Sequence, residues 1–438
     1  MTSSRYDLAL SASWVIPVNA DRTVLNDHTV LISAGRIVDI VPTASFNSSD
    51  AAEHHDMKDH VLLPGLINLH GHAAMSLFRG MADDKPLHTW LNEHIWPAEG
   101  QWVSADFVRD GTELAIAEML RSGTTCFSDM YFFPNMAAAA AEAAGMRAQL
   151  TFPIFDFPTI WASDPDEYIH KGLQLRDDYK HSELLSFAFG PHAPYTVGDE
   201  AFGKVATLAN ELDAPIQVHL HETQQEVDDA IAASGERPIA RLDRLGLLTP
   251  RTQCVHMTAL NDDDIERIVR SGSHVIHCPV SNLKLASGFC PAQQLIDAGV
   301  NVAIGTDGAA SNNDLDLFGE VRSAALLAKA VSKNAAAVSA WQALEMATIN
   351  GAKALGMETE IGSLHNGKRA DIIAVDLSAL EQQPLYDVVS TLIYTNVTTH
   401  IRHSWINGKQ VMKDRQPVHL DLDKLREKAQ QWQQKISA

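Results

Sequence analysis

The chain of 438 residues is short of cysteine, of basic side chains and of long apolar runs, and each shortage removes a class of function. Its four cysteines, Cys126, Cys254, Cys278 and Cys290, form no CxxC pair and no regular ladder. That spacing offers neither a disulfide framework nor a thiolate zinc knot, and it reads as four buried small hydrophobes in a reducing compartment. Lys and Arg number 34 against 55 Asp and Glu, a formal charge of −21, with a pI near 5.3. Nucleic acid and anionic membranes are excluded as partners, because either would need a basic face to displace counterions. No apolar run reaches the roughly 18–20 residues that span a bilayer. The first thirty residues alternate apolar and polar (Leu8, Leu10, Trp14, Val15, Ile16) and lack the basic-then-apolar layout of a signal peptide, so a cytoplasmic location is expected. Also missing are a Gly-rich phosphate loop after a strand, a G-x-S-x-G elbow, a paired Cys/His nucleophile and the H-x-E…P-C-x-x-C pattern of one zinc deaminase class.

What is present begins with enough length for one domain of about 250–300 residues plus a smaller one. Eight short apolar or β-branched runs recur: Ile67–His72, Thr124–Met130, Arg147–Phe152, Ser186–His192, Ile216–His221, Gln253–Met257, His274–Cys278 and Val302–Thr306. Helix-like stretches separate them, among them Asp106–Arg121, Met136–Ala144, Glu200–Leu212, Asp262–Arg270 and Pro291–Ala298. Strands alternating with helices imply parallel βα units, and eight such units close into a (β/α)₈ barrel. Both ends read as short strands with turns, at Asn19–Arg22 and Ala34–Arg36 and at Asn366-Gly367 and Asn407-Gly408, with an alternating run at Ala370–Asp376. The predicted division is a small β-sandwich from residues 1–63 and 366–420, a barrel over 64–365, and a helical tail over 421–438.

A barrel of this kind presents its chemistry at the C-terminal ends of its strands, and there the runs end in metal-capable side chains. His70 and His72 close Pro64-Gly-Leu-Ile-Asn-Leu-His-Gly-His72; two residues apart in a strand, they share a face. His219 ends Ala214-Pro-Ile-Gln-Val-His219, followed by His221, a second candidate ligand, and by Glu222, better placed as a proton carrier. His256, His192, His277 and Asp307 end further runs. Each has an ordinary alternative: hydrogen bonding for the histidines, a helix cap for Asp307, a capped polar loop for 219–223. Six strand ends converging on one mouth point instead to a metal held by His70, His72, His219 and Asp307. Such a set leaves a position open for water, and metal-activated water is the economical mechanism.

At these residues the sequence resembles the amidohydrolase superfamily. Within it the chain looks like the 5-methylthioadenosine/S-adenosylhomocysteine deaminases, through the segments already quoted and through Trp96-Pro-Ala-Glu99, Gly190-Pro-His-Ala-Pro-Tyr195, Val218-His-Leu-His-Glu-Thr223, Val255-His256 and Ser281-Asn-Leu-Lys-Leu-Ala-Ser-Gly288. Nearly the whole chain is covered. Binuclear members carry a carboxylated lysine on the fourth strand, absent from Ser186–His192, so the resemblance implies one divalent metal per chain, zinc first. It further implies hydrolytic deamination of adenosine-type nucleosides, with Glu99 on the ribose hydroxyls and His192 on the purine. Glu222 would protonate the ring, Asp307 would take the water's proton, and His256 would orient the attacking oxygen. Phe152 stands near where some members place an arginine, which leaves open how the methylthio or homocysteine end is held. Pro86–Trp96 reads as an amphipathic helix whose Leu87, Trp90 and Leu91 either cover that end or pack on the barrel. The alternatives are a triazine or guanine-type aminohydrolase or chlorohydrolase, and a barrel scaffold without activity. A homo-oligomer is expected, as is common among relatives.

Overall fold

A computed structural model describes residues 5–437, so residues 1–4 of the predicted sandwich segment and Ala438 of the predicted tail lie outside the described residues. The first strands are β1 (Tyr6–Val15), β2 (Leu25–Ser33), β3 (Arg36–Pro42) and β4 (Ala51–Pro64). Ala34 and Gly35, with φ of 50° and 74°, form the tight turn between β2 and β3, the twist-compatible geometry for a two-residue hairpin. Eight further strands follow: β5 (Leu66–Gly71), β6 (Thr124–Met130), β7 (Arg147–Ile154), β8 (Leu185–Pro191), β9 (Ile216–Leu220), β10 (Thr252–His256), β11 (His274–His277) and β12 (Val302–Ile304). Each pairs in parallel with the next in chain order. The last four are β13 (Ile372–Asp376), β14 (Ile401–Ile406), β15 (Lys409–Lys413) and β16 (Gln416–Pro417).

The eight parallel strands form the predicted barrel, and the polar residues flanking β12 fasten it to β5. The Asp307 amide donates to the His70 carbonyl at 2.9 Å. The Asn68 amide donates to Thr306 Oγ1 at 2.8 Å and receives the Thr306 N–H at 3.0 Å. This seam requires glycine at 305: a Cβ there would lie 2.8 Å from both Cβ and N of His70.

The strands from both termini form one mixed eight-stranded sheet, ordered β16-β15-β14-β13-β4-β1-β2-β3. It is clamped to the base of the barrel by Arg147 at the start of β7. That guanidinium donates to both carboxylate oxygens of Asp371 at 2.9 and 3.3 Å and to Asn407 Oδ1 at 2.7 Å. Two expectations for the C-terminal segment change. A helix, Val388–Tyr394, interrupts the strands predicted for 366–420, capped by Asp387 and burying Val388, Val389, Leu392 and Ile393 at helical spacing. And β13 shows no alternating burial, because Ile373 and Val375 pack in one apolar cluster and Ile372 and Ala374 in another, which covers both faces.

Barrel helices begin on side-chain caps: Ser104 accepts from Phe107 N, Thr223 from Glu226 N, and Asn261 closes a capping box with Asp264. The C-terminal helix Leu422–Ser437 buries Leu425 and Trp432, two turns apart, and Trp432 donates to Asp110 on the Ala105–Arg121 helix. The segment predicted as one amphipathic helix over Pro86–Trp96 is a single α-turn (Leu87–Thr89), a π-helical stretch (Trp90–Ile95) and then a helix, Trp96–Trp102. Pro97 has no N–H to give the preceding turn, which is where the ladder widens. All four cysteines are free and buried. No described helix is long and apolar enough to cross a membrane.

Candidate active site

The barrel mouth opens into a cavity of about 280 Å³ lined by residues from all parts of the barrel. At its floor, ligand atoms of His70, His72 and His219 all lie within 4.8 Å of one another. Each ring has its Nδ1 committed. His72 Nδ1 donates to the Met130 carbonyl at 2.6 Å and His219 Nδ1 to the His192 carbonyl at 2.8 Å. A carbonyl only accepts, so both rings carry hydrogen on Nδ1 and present bare Nε2 lone pairs. His70 Nδ1 likewise donates to Gln217 Oε1 at 2.8 Å. The consequence is two facing acceptors: Nε2 of His70 and Nε2 of His219 are 3.1 Å apart. Such a contact repels unless a positive charge lies between the lone pairs.

Asp307 completes the set. Its Oδ1 lies 3.2 Å from His72 Nε2 and 3.5 Å from His70 Nε2. Its Oδ2 accepts from Ser281 at 2.6 Å and Ser311 at 2.9 Å, which fixes which oxygen faces the imidazoles. Burial opposes its charge, but the facing His70 and His72 imidazoles hold it well below the usual carboxylate range. Burial likewise opposes a charged His72, yet Asp307 lifts that ring to about 9. Both shifts are the mark of a pocket short of positive charge. Asp307 is also not the cap of the following helix, whose N-cap is Gly308 with no side-chain bond.

The remaining predicted residues divide. Glu222 is buried by the same cavity; burial first, and the Asp307 charge second, push its carboxyl up to about 8, so it holds a proton at neutral pH. Its Oε2 lies 3.8 Å from His256 Nε2. His256 Nδ1 donates to Asn282 Oδ1 at 2.8 Å, which leaves His256 Nε2 an acceptor toward the cavity. His192 lines the wall, stacked on Phe155 at 4.7 Å, and burial lowers its pKa to about 3. Glu99, on the Trp96–Trp102 helix, accepts from the Tyr131 hydroxyl at 2.7 Å and is raised by burial to about 7. His221 is not with them. Its Nδ1 donates to the Ala259 carbonyl and its Nε2 accepts the Ile239 N–H, so both nitrogens are spent outside the cavity. That leaves no lone pair for a metal. His277 is also absent from the cavity lining, buried with Nδ1 unpartnered.

Sequence reasoning missed the residues that hold the site in place. Ser281 and Asn282 sit in one of the segments noted above, yet the bonds they make to Asp307 and His256 could only be read from geometry. Tyr131 follows β6 directly, a position where a polar aromatic was available as a signal. Leu87, Trp90 and Leu91 line the cavity and also pack into the barrel core, so the two readings of that segment are one.

The chain matches the amidohydrolase family over residues 61–411. A Saccharophagus degradans protein named 5-methylthioadenosine/S-adenosylhomocysteine deaminase is 54% identical over 433 residues, 99% of this chain and 97% of that protein. A Methanosarcina mazei 5'-deoxyadenosine deaminase is 40% identical, with 99% of each chain covered. Among solved structures, an adenosine deaminase from Xanthomonas campestris with bound zinc superposes with a TM-score of 0.97 at 49% identity, over 99% of each chain. With eight parallel strands, a His-x-His on the first and an aspartate after the last, the chain belongs to the amidohydrolase family, in the group named for the 5-methylthioadenosine/S-adenosylhomocysteine deaminases.

Proposed function

We propose that the chain is a zinc-dependent hydrolytic deaminase of adenosine-type nucleosides, exchanging the 6-amino group for oxygen from water with release of ammonia. One observation carries the reading: a cation pocket of three imidazoles and a carboxylate shares a cavity with the buried carboxyl of Glu222. Three nitrogens and one oxygen suit zinc with a position open, and zinc is the ion in the Xanthomonas campestris structure. A zinc ion held by His70, His72, His219 and Asp307 would lower the pKa of a coordinated water from about 15.7 to about 7.

The protein's own groups handle the protons. Water attacking C6 needs a proton delivered to the neighbouring ring nitrogen, and Glu222 has one to give. His256 Nε2, an acceptor, orients the attacking oxygen. Asp307 Oδ1, with Oδ2 pinned by two serines, is aimed to take the water's proton and pass it to the departing amine. Glu99, one oxygen committed to Tyr131, keeps the other for a ribose hydroxyl, and His192 flanks the base.

The walls bear on the rest of the substrate. None of the lining residues is Lys or Arg; the carboxyl groups are those of Glu99, Glu222 and Asp307, and the outer wall is Leu87, Trp90, Leu91, Phe155, Phe157 and Ile160. A methylthio or 5'-deoxy end fits such a wall, whereas the carboxylate of S-adenosylhomocysteine finds no partner there. Homo-oligomerisation and a cytoplasmic location belong to this proposal as well. Purified protein is expected to carry one zinc per chain and to convert methylthioadenosine to its inosine analogue, followed by ultraviolet absorbance. Zinc-loaded protein inert to methylthioadenosine, S-adenosylhomocysteine and adenosine refutes the reading.

A further inference from the structure

Beneath the cavity floor the barrel interior holds a polar layer where apolar packing is the rule. Gln149, Gln217 and Gln253, on β7, β9 and β10, are at most 1% exposed, and Ser128 on β6 is fully buried. Three neutral amides in a core are costly unless every donor and acceptor is matched, and here the matching dictates a direction. The Ala354 carbonyl, which only accepts, receives Gln253 Nε2 at 2.9 Å. The Oε1 of Gln253 therefore turns the other way, where it accepts from Gln217 Nε2 at 2.7 Å and Gln149 Nε2 at 2.9 Å. Gln253 Nε2 also gives to Gln149 Oε1 at 3.1 Å, so these two amides hold each other. Gln217 Nε2 spends its other hydrogen on a second pure acceptor, the Leu69 carbonyl, at 2.9 Å, with Ser128 Oγ at 3.1 Å. With its nitrogen so placed, Gln217 can offer only Oε1 to His70.

We propose that Gln217 is a positioning residue for the metal centre: the amide belt, oriented by the Ala354 and Leu69 carbonyls, puts hydrogen on His70 Nδ1 and aims His70 Nε2 at the cation. His70 is the one member of the triad that needs such a device. His72 and His219 are oriented by backbone carbonyls, whose polarity no side chain alters, while His70 rests on a carboxamide that could rotate by half a turn. Rotated, Gln217 would present N–H to His70 Nδ1, shift the ring hydrogen to Nε2 and close the metal position. The belt prevents that turn, because it would set Gln217 Oε1 against the Leu69 and Gln253 oxygens.

The inference rests on His70 being a zinc ligand, and the test separates the two. Zinc dissociation constants are measured by chelator competition for the wild type and for His70→Ala, Gln217→Leu and Gln253→Leu. Removal of a partner that orients a ligand weakens metal binding about 10–100-fold, and that is expected for Gln217→Leu. Gln253→Leu, which leaves His70's acceptor in place but unlocks its direction, is expected to weaken zinc by a smaller factor and covers the case in which Gln217→Leu does not fold. Nitrogen-15 NMR of histidine-labelled apoprotein is expected to show His70 protonated on Nδ1 in the wild type and a tautomer mixture in both variants, a change that loss of packing alone would not produce. Unchanged zinc affinity in His70→Ala would remove the ligand reading itself. Strong His70 dependence together with wild-type affinity in Gln217→Leu, or in Gln253→Leu if that alone folds, would overturn the positioning role.

Discussion

Replacing Glu222 by Gln removes one transferable proton and little else. The side chain is 7% exposed, packed beneath the cavity wall, and an amide fills the same volume. It also keeps an N–H to direct at a ring nitrogen, so ground-state binding should survive and KM should move by no more than a few-fold. What the amide cannot do is release that hydrogen. With the carboxyl pushed up to about 8 by burial, the acid form predominates at pH 7, so the loss falls on most of the population. A positioned general acid contributes about 10²–10⁴-fold, which sets the expected fall in kcat at about 2.7–5.5 kcal/mol of transition-state stabilisation. The sign in pH follows from the same group: wild-type kcat declines as pH rises through the Glu222 pKa, because the acid form disappears, and the variant's residual rate loses that alkaline limb. Steady-state kinetics from pH 6 to 9 with zinc analysis of the same samples decides it. A variant that keeps more than a tenth of wild-type kcat with zinc bound refutes the acid role, and one that loses its zinc makes Glu222 a ligand instead.

Other perturbations reach different parts of the molecule. Asp371→Ala leaves the Arg147 guanidinium, 2% exposed, without its carboxylate; breaking a buried pair from one side costs about 3–5 kcal/mol, to be seen as a lowered urea midpoint while zinc affinity is unchanged. Ile160→Arg places a cation on an outer wall that has none, and kcat/KM for S-adenosylhomocysteine relative to methylthioadenosine should rise about tenfold or more; an unchanged ratio would count against the charge argument for this wall. Gly305→Ala drives a methyl into His70 across the seam between β12 and β5, and the folded variant should bind zinc more weakly, measured by chelator competition. Glu99, raised to about 7 by burial, is a poorer acceptor once protonated, so KM for ribonucleosides should climb as pH falls below 7 while that for 2',3'-dideoxy analogues stays level.

The legible part of this molecule is the part in which a residue type contradicts its local setting. An imidazole or carboxylate at the tip of an apolar run has no packing reason to be there, and His70, His72, His219, His256 and Asp307 stood out on that ground. All five came together at one mouth because parallel strands deliver their C-terminal ends to one face. His221 broke the rule for a local reason: its φ of 51° lies outside strand geometry, so the expectation that residues two apart share a face fails after Leu220. The helix Val388–Tyr394 was hidden because seven residues of β-branched and aromatic composition have the content of a strand; only Asp387 as a cap and the spacing of Val389, Leu392 and Ile393 speak for a helix.

The glutamine belt was illegible for a deeper reason. Gln149, Gln217 and Gln253 each occupy an ordinary position in a β-run, and a polar residue between apolar neighbours reads as the solvent face of a half-buried strand. In a closed barrel there is no solvent face on the inside. Two residues before His219, Gln217 points the same way as the ligand, so the polar layer lies one step below the metal-binding layer. Once the strand ends are read as ligands, the residue two positions earlier is a neighbour of the ligand's own ring. In β9 that neighbour is the amide Gln217, bonded to His70. The strand before the ligand carries a further prediction: Asn68→Leu, which severs the bonds to Thr306 beside Asp307, should weaken zinc through the displaced carboxylate, while Ile67→Leu, a similar-volume change one position along in the apolar cluster of Leu69, Val255 and Ile276, should leave zinc affinity unchanged. Equal effects of the two substitutions would mean that the position of Asp307 is set by the backbone alone.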